Sequence, residues 1–262
     1  MARICPLASS SSGNSTYISG GNTALLVDAG ISCRGILQTI QTHGLELDKL
    51  KGILITHEHT DHIKGLAVLL KKLDIPLYAS AKVLAYIEKN ISLPAGTTLL
   101  EADKKGFSIG EIGVQPFQTL HDSVGSLGFR LEMPDGSQVG FATDLGEFTP
   151  QVWEGLRGCH AVVLESNYDE SLLDIGSYPY YLKERIRGSH GHLSNRACAD
   201  ALLRLAKTGS ARFMLAHLSE ENNMPLLAQQ SAVSFLEAHG LRENQDFTLE
   251  VAPKTGGKLM VY

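Results

Sequence analysis

Apolar and polar positions along this chain alternate between two rhythms. "ARICPLA", "STYIS" and "TALLVDAG" are short apolar runs separated by Ser, Gly and Asn, the pattern of strands joined by tight turns. "RGILQTIQTHG" changes to helical spacing and ends on Gly44. "KGILIT" is a continuous aliphatic run, as in a strand buried on both faces, and "KGLAVLLKKL" then carries apolar residues on a helical face. "IPLYA" and "SAKVLAYIEKN" repeat that pair. The middle returns to strands in "FSIGEIGVQPFQTLHD", "GSLGFRLEMPDGSQVGFATD" and "HAVVLES", with "PDGS" as a hairpin turn. The last third reads as helix "SNRACADALLRLAKTG", strand "ARFMLAH", helix "MPLLAQQSAVSFLEAHG", and strand-like "FTLEVA" and "KLMVY".

Strands thus come in two batches, each followed by helices, with no repeat and no composition break that would mark a linker. Two packed sheets with helices outside are the expected α/β architecture. The length of 262 residues and the 43% hydrophobic content allow a sizeable core, and one domain over 1–262 is expected.

Charge and cysteine usage narrow the partners. A formal net charge of −5 and a pI near 6.1 give no chain-wide basic signal, so any attraction to nucleic acid must be local. Cys5, Cys33, Cys159 and Cys198 are far apart and lack CxxC spacing, which fits reduced thiols used as small core residues in a cytoplasm. No apolar run approaches the roughly 20 residues of a membrane helix, and the first apolar stretch is too short for a signal peptide. The expectation is a soluble, cytoplasmic protein with no membrane partner and no evident obligate protein partner.

"ILITHEHTDHIKG", residues 53–65, crowds ligand-type side chains onto the end of a buried strand. In an extended segment residues two apart point the same way, so His57 and His59 can converge on one ion. Asp61 and His62 fall past a bend and can face a second. Imidazole and carboxylate suit Zn, Mn or Fe, and the absence of Cys argues against a closed structural zinc site. The bland alternative, an exposed polar turn with coincidental histidines, is disfavoured by that crowding.

"THEHTDH" resembles the HxHxDH signature of the metallo-β-lactamase fold superfamily. The resemblance implies an αββα sandwich of two mixed β-sheets with outer helices. It also implies a third histidine, a bridging aspartate and a final histidine, each ending a strand. "FQTLHD", "GFATD" and "FMLAH" supply His121, Asp144 and His217 in that order. Carried over, His57, His59 and His121 would hold one divalent ion, Asp61, His62 and His217 a second, and Asp144 would bridge them. Two such ions would offset most of the negative formal charge within one cleft, where a phosphate could be drawn.

The superfamily includes thioester hydrolases, lactonases, β-lactamases, oxidoreductases and nucleases, so the metal site alone selects no substrate. The interval from Asp144 to His217 is too short for the inserted domain of β-CASP nucleases. The tail after His217 is too short for the helical domain of glyoxalase II-type hydrolases, and no Cys occupies a ligand slot as in several true β-lactamases. Residues 188–223, "GSHGHLSNRACADALLRLAKTGSARFMLAHLSEENN", resemble the corresponding segment of ribonuclease Z. There the first histidine assists phosphodiester cleavage without ligating a metal, and it maps to His192. With "LASSSSGNSTYI" and "GHLSN", the pattern is closest to the WalJ (YycJ) group of metallo-β-lactamase fold exonucleases.

That resemblance implies a 5′-to-3′ exonuclease whose partner is DNA with a 5′ end. The alternative is a small-molecule hydrolase of a thioester, lactone or phosphodiester metabolite. Asp61, besides its ligand role, and His192 are the catalytic candidates, although His192 could simply neighbour the start of a helix. Ser12 and Asn14 lie in "SSSSGNS", residues 9–15, which could offer N–H groups and hydroxyls to a phosphate or sugar, or merely form a turn. Ser194 is a third substrate-binding candidate and equally a helix cap. Arg185, Arg187 and Arg196 flank His192 and could reach a strand's backbone or remain solvated.

Overall fold

The computed structural model of the protein describes residues 2–261. β1 (Arg3–Ala8), β2 (Ser15–Gly20) and β3 (Thr23–Val27) form an antiparallel meander. Helix α1 (Cys33–Thr42) follows, capped by Ser32, whose side chain accepts from the Gly35 N–H; Gly44, at φ +60°, turns the chain out of it. Next come β4 (Leu50–Leu54), the short helices α2 (Thr60–Ile63) and α3 (Leu66–Leu70), β5 (Leu77–Ala79), α4 (Ala81–Asn90) and β6 (Leu99–Glu101).

A second antiparallel meander comprises β7 (Phe107–Ile109), β8 (Ile112–Gln118), β9 (Leu127–Glu132) and β10 (Gln138–Ala142). The chain continues through α5 (Pro150–Leu156), β11 (Ala161–Glu165), α6 (Glu170–Ile175), α7 (Tyr180–Arg187) and α8 (Asn195–Ala206). It closes with β12 (Arg212–Ala216), α9 (Pro225–Ala238), β13 (Thr248–Val251) and β14 (Met260–Val261). Of the strand expected in "KLMVY", Tyr262 lies outside the described residues.

The strands build two mixed sheets, in the orders β14-β1-β2-β3-β4-β5-β6 and β13-β12-β11-β10-β9-β8-β7. In each, an antiparallel half passes into a parallel half, at the β3–β4 pair of the first and the β10–β11 pair of the second. Parallel pairing needs crossovers, and the helices supply them on the outer faces. This is the expected αββα sandwich.

Strand parity explains the aliphatic runs. In β3, Leu25 and Val27 point between the sheets, where they meet Phe129, Val139 and Phe141, while Ala24 and Leu26 point outward into the layer containing Ile36, Ile40 and Val83. In β11, Ala161 and Val163 face inward and Val162 and Leu164 outward, beside Cys198, Leu202 and Leu236. Both faces are covered, so alternation disappears from these strands. Phe129 is fully buried between the sheets, and truncation to Ala would cost about 3–5 kcal/mol. The four cysteines are buried and unpaired, and burial pushes the thiols of Cys5 and Cys159 up to about 11 and that of Cys198 to about 12.

Two details differ from expectation. The helix in "KGLAVLLKKL" is confined to Leu66–Leu70. The entry to α3 is pinned at Gly65, where a Cβ would lie 2.0 Å from the Ile31 carbonyl oxygen. Helices α5, α6 and α7, six to eight residues long, give too few turns for their periodicity to stand out in the sequence.

Candidate metal centre

The histidine-rich segment leaves the C-terminal end of β4, and the remaining site residues leave the same ends of β3, β8, β10, β11 and β12. Three of them bend sharply there. Asp28, Asp144 and His217 have φ of 63°, 57° and 54°, a left-handed conformation that non-glycine residues seldom adopt. Such strain persists where the surroundings over-determine it, and here it turns each side chain off its strand end into one cleft. Gly30 permits the opposite wall: a Cβ there would lie 1.6 Å from the Asp61 carbonyl oxygen. That close approach lets Asn14 donate its backbone N–H to Asp61 O at 2.8 Å and Ala29 donate to His62 O at 2.8 Å.

All seven ligand candidates converge. His57 Nε2 lies 3.0 Å from His59 Nδ1, and His121 Nε2 lies 3.3 Å from the same atom. On the other side, Asp61 Oδ2 lies 3.3 Å from His62 Nε2 and 3.5 Å from His217 Nε2. Asp144 stands between them. Its Oδ1 is 4.0 Å from His57 Nε2 and 3.6 Å from His121 Nε2, while its Oδ2 is 3.3 Å from His62 Nε2.

The donors fit a divalent ion on chemistry and on hydrogen-bond accounting. Imidazole nitrogens and carboxylate oxygens of each group fall within 4.8 Å of one another. Asp144 Oδ2 and His217 Nε2 are buried without a hydrogen-bond partner, a costly state that an ion contacting both would relieve.

Electrostatics divide the imidazoles. Burial holds His57 well below its ordinary range, and neighbouring His62, His121 and His59 add to that; burial also lowers His121. Burial opposes charge on His62 and His217 too, but Asp144 and the hydrogen-bonded acids around them prevail and push both up. The Asp61 carboxyl, despite burial, is held low by His217 and His62.

Two acids that the sequence reading did not single out orient these imidazoles. Asp28 Oδ2 lies 2.8 Å from His62 Nδ1, and the Thr56 N–H and hydroxyl also donate to Asp28. Fully buried Glu165 places Oε1 2.8 Å from both His192 Nδ1 and His217 Nδ1. Its Oε2 accepts the N–H groups of Leu145 and Leu193 at 3.1 and 3.0 Å. With both oxygens engaged by protein donors, Glu165 acts as an orienting group. The available signal was its position: an acid closing the aliphatic run "AVVLE" on the inner-face parity must be paired.

The other candidates separate. His192 Nδ1 stands 3.8 Å from Asp144 Oδ1, next to the cluster, and its side chain is 23% exposed. Burial lowers His192, but the Glu165 charge and hydrogen bond outweigh it and raise its pKa. Asn14 is buried, with Nδ2 donating to Ser10 O at 2.9 Å and lying 3.3 Å from Asp61 Oδ2, so it braces the ligand loop. Ser12 is exposed and donates to Glu220 Oε1 at 2.6 Å. Ser194 is buried; its hydroxyl accepts the Ala197 N–H at the start of α8 and donates to Glu170 Oε1 at 3.0 Å. Ser194 thus makes the capping bond of the alternative reading. Arg187 pairs with Asp174, and the Arg196 guanidinium lies 4.6 Å over the Phe235 ring on α9. Arg185 alone of the three arginines lines a cavity with His192, and it pairs with Asp122 at 2.5 Å.

Residues 23–218 match the β-lactamase superfamily domain. The chain belongs to that superfamily. It is 33% identical over 255 residues to exodeoxyribonuclease YycJ of Bacillus anthracis, covering 97% of this chain and 96% of the relative. It is 34% identical over 258 residues to exodeoxyribonuclease WalJ of Streptococcus pneumoniae strain D39, covering 97% and 95%. The metallo-β-lactamase fold protein YhfI of Bacillus subtilis superposes with a TM-score of 0.73 at 14% identity, covering 99% of both chains. The family match and the relatives named as exodeoxyribonucleases over nearly their whole length together mark the protein as a metallo-β-lactamase fold hydrolase. No helix among the described residues is long and apolar enough to cross a membrane.

Proposed function

We propose that the protein is a dinuclear metal-dependent phosphodiesterase that degrades nucleic acid, acting as a 5′-to-3′ exonuclease on DNA. The observation that carries this reading is similarity to two exodeoxyribonucleases over 97% of the chain. The placement of Asp144, with one oxygen toward His57 and His121 and the other toward His62, supports two ions held on either side of it. Zn and Mn are the expected metals, with Fe also compatible with the donor set.

Divalent ions in this cluster would supply Lewis acidity toward a phosphoryl oxygen and acidify water at neutral pH. His57, His59 and His121 would hold one ion on one side of Asp144, and Asp61, His62 and His217 a second on the other. Asp61 would also steer the attacking water, a role supported by its Oδ2 lying 3.3 Å from His62 Nε2 and 3.5 Å from His217 Nε2. Asp28 fixes the His62 ring so that Nε2 faces inward, and Glu165 does the same for His217. His192, held at Nδ1 by Glu165, keeps Nε2 available to carry a proton to the leaving oxygen of the cleaved ester. In-line displacement at phosphorus needs a donor on the departing side, and a half-buried imidazole beside the metal cluster meets that need. Buried, unpaired thiols support a reducing, cytoplasmic setting.

The deciding experiment compares metal-loaded protein on 5′-phosphorylated single-stranded DNA with panels of thioesters and lactones. Ordered release of mononucleotides from the 5′ end is expected. Turnover confined to thioesters or lactones would replace the nuclease reading with a small-molecule one.

A further inference from the structure

The segment carrying His57 and His59 and the loop carrying His121 reach the cleft from different sheets. The histidine-rich segment leaves β4 in the first sheet, and the loop of residues 121–126 leaves β8 in the second. None of residues 122–125 is buried, so this part of the loop adds no side chain to the core and is held by hydrogen bonds. Three of these bonds cross to elements of the first sheet. Leu127 donates its N–H to Thr56 O at 3.0 Å, and Ser80 Oγ, at the cap of α4, donates to Gly125 O at 2.8 Å. The Val124 N–H donates to Glu58 Oε1 at 2.9 Å.

Glu58 is the unusual partner of the three. It stands between His57 and His59, is buried at 7% exposure, and belongs to none of the candidate ligand groups. Burying a carboxylate is costly unless donors meet it. Among the described residues the Val124 N–H is its one donor, and Oε2 is buried without a partner. A hydrogen bond to an ionised acceptor is stronger than one to a neutral group, which suits a loop that packing does not hold. Gly191 O, 3.1 Å from His121 Nδ1, fixes the rotation of the imidazole, while Glu58 fixes the loop three residues along the chain from it.

The ligands on the other side of Asp144 are tethered differently. His217 donates its N–H to Ser9 Oγ at 2.8 Å, and Asn14 donates its N–H to Asp61 O at 2.8 Å. We propose that Glu58 is a positioning residue that straps the His121 loop to the His57–His59 segment. It thereby sets the affinity of that ion position separately from the one built by Asp61, His62 and His217. The inference rests on the reading of two ions about Asp144 and holds whichever ester is cleaved.

The test titrates Zn²⁺ into metal-free protein in competition with a chromogenic chelator, resolving two binding constants. In Glu58→Ala one constant should weaken by about 10- to 100-fold while the other keeps its wild-type value. Glu58→Met, which fills the space without offering a carboxylate, should behave as Glu58→Ala does, so that the loss is not that of a cavity. Glu58→Gln keeps an oxygen at the same reach and should recover most of the affinity. Glu58→Ala combined with His121→Ala should bind Zn²⁺ no more weakly than His121→Ala alone, because the strap acts through that ligand. Its effect should add to that of Asp28→Asn, which acts through His62. Equal weakening of both constants, two unchanged constants, or full additivity with His121→Ala would each overturn the strap and leave the two-ion reading standing. A wild type that binds only a single Zn²⁺ would remove the two-ion reading and the strap with it.

Discussion

His192 Nδ1 donates to Glu165 Oε1 at 2.8 Å, an imidazole open to the cleft held by a carboxylate with no solvent exposure. This pairing sets the tautomer of His192 and gives the ring one orientation. His192→Ala should remain folded and keep its metal, since all seven proposed ligands are intact, but lose turnover by on the order of 10² to 10⁴. Glu165→Gln should reduce turnover as well, through a misplaced ring. Single-turnover cleavage and metal stoichiometry on the same preparations check both, and wild-type rates for His192→Ala would end its catalytic role.

Asp144→Ala should lose metal from both sides, because its two oxygens face the two groups. Elemental analysis would show stoichiometry falling toward zero; full occupancy would refute the bridging assignment. Chelation of the wild type should lower its melting temperature, with recovery on adding Zn or Mn, because the ions bind only the folded chain.

Asp28 touches no proposed ion, yet Asp28→Asn should weaken metal binding by about 10- to 100-fold by loosening His62. A competition titration with a chromogenic chelator measures it. An unchanged affinity would mean that packing alone orients the ring.

Ser194→Ala separates capping from substrate binding. Loss of the bond to the Ala197 N–H should destabilise the protein by about 1 kcal/mol in urea denaturation while leaving KM for DNA unchanged. A raised KM at unaltered stability would reverse that assignment.

Cleavage of long polymers should fall steeply with added salt, because counterion release from phosphate contacts outside the cleft, such as one to Arg185, becomes less favourable. Rates measured between about 50 and 200 mM salt would reveal it. A flat response would favour a small-molecule substrate.

How far the site could be read in advance varied with how each residue is built into it. His57, His59, Asp61 and His62 share one short segment, so their spacing alone signalled convergence. His121, Asp144 and His217 are isolated residues at strand ends, legible only through their order in a family resemblance. Asp28 and Glu165 escaped notice because a single acid closing an aliphatic strand has no local partner to advertise it; its histidine lies 34 positions away for Asp28 and 27 for Glu165.

What the sequence by itself determined is the layer plan: aliphatic runs too apolar to face water, helices capped by Ser32 and Ser194, and a turn at Gly44. Those features follow from burial and local hydrogen bonding, which act over a few residues. Tertiary structure alone decided which strand ends meet. The left-handed bends at Asp28, Asp144 and His217, the close backbone approach of Asp61 that only glycine at position 30 allows, and the clustering of Tyr178, Arg185 and His192 around one cavity depend on two sheets packing in one register. Contacts between residues distant in the chain are set by that packing, and no local pattern encodes them.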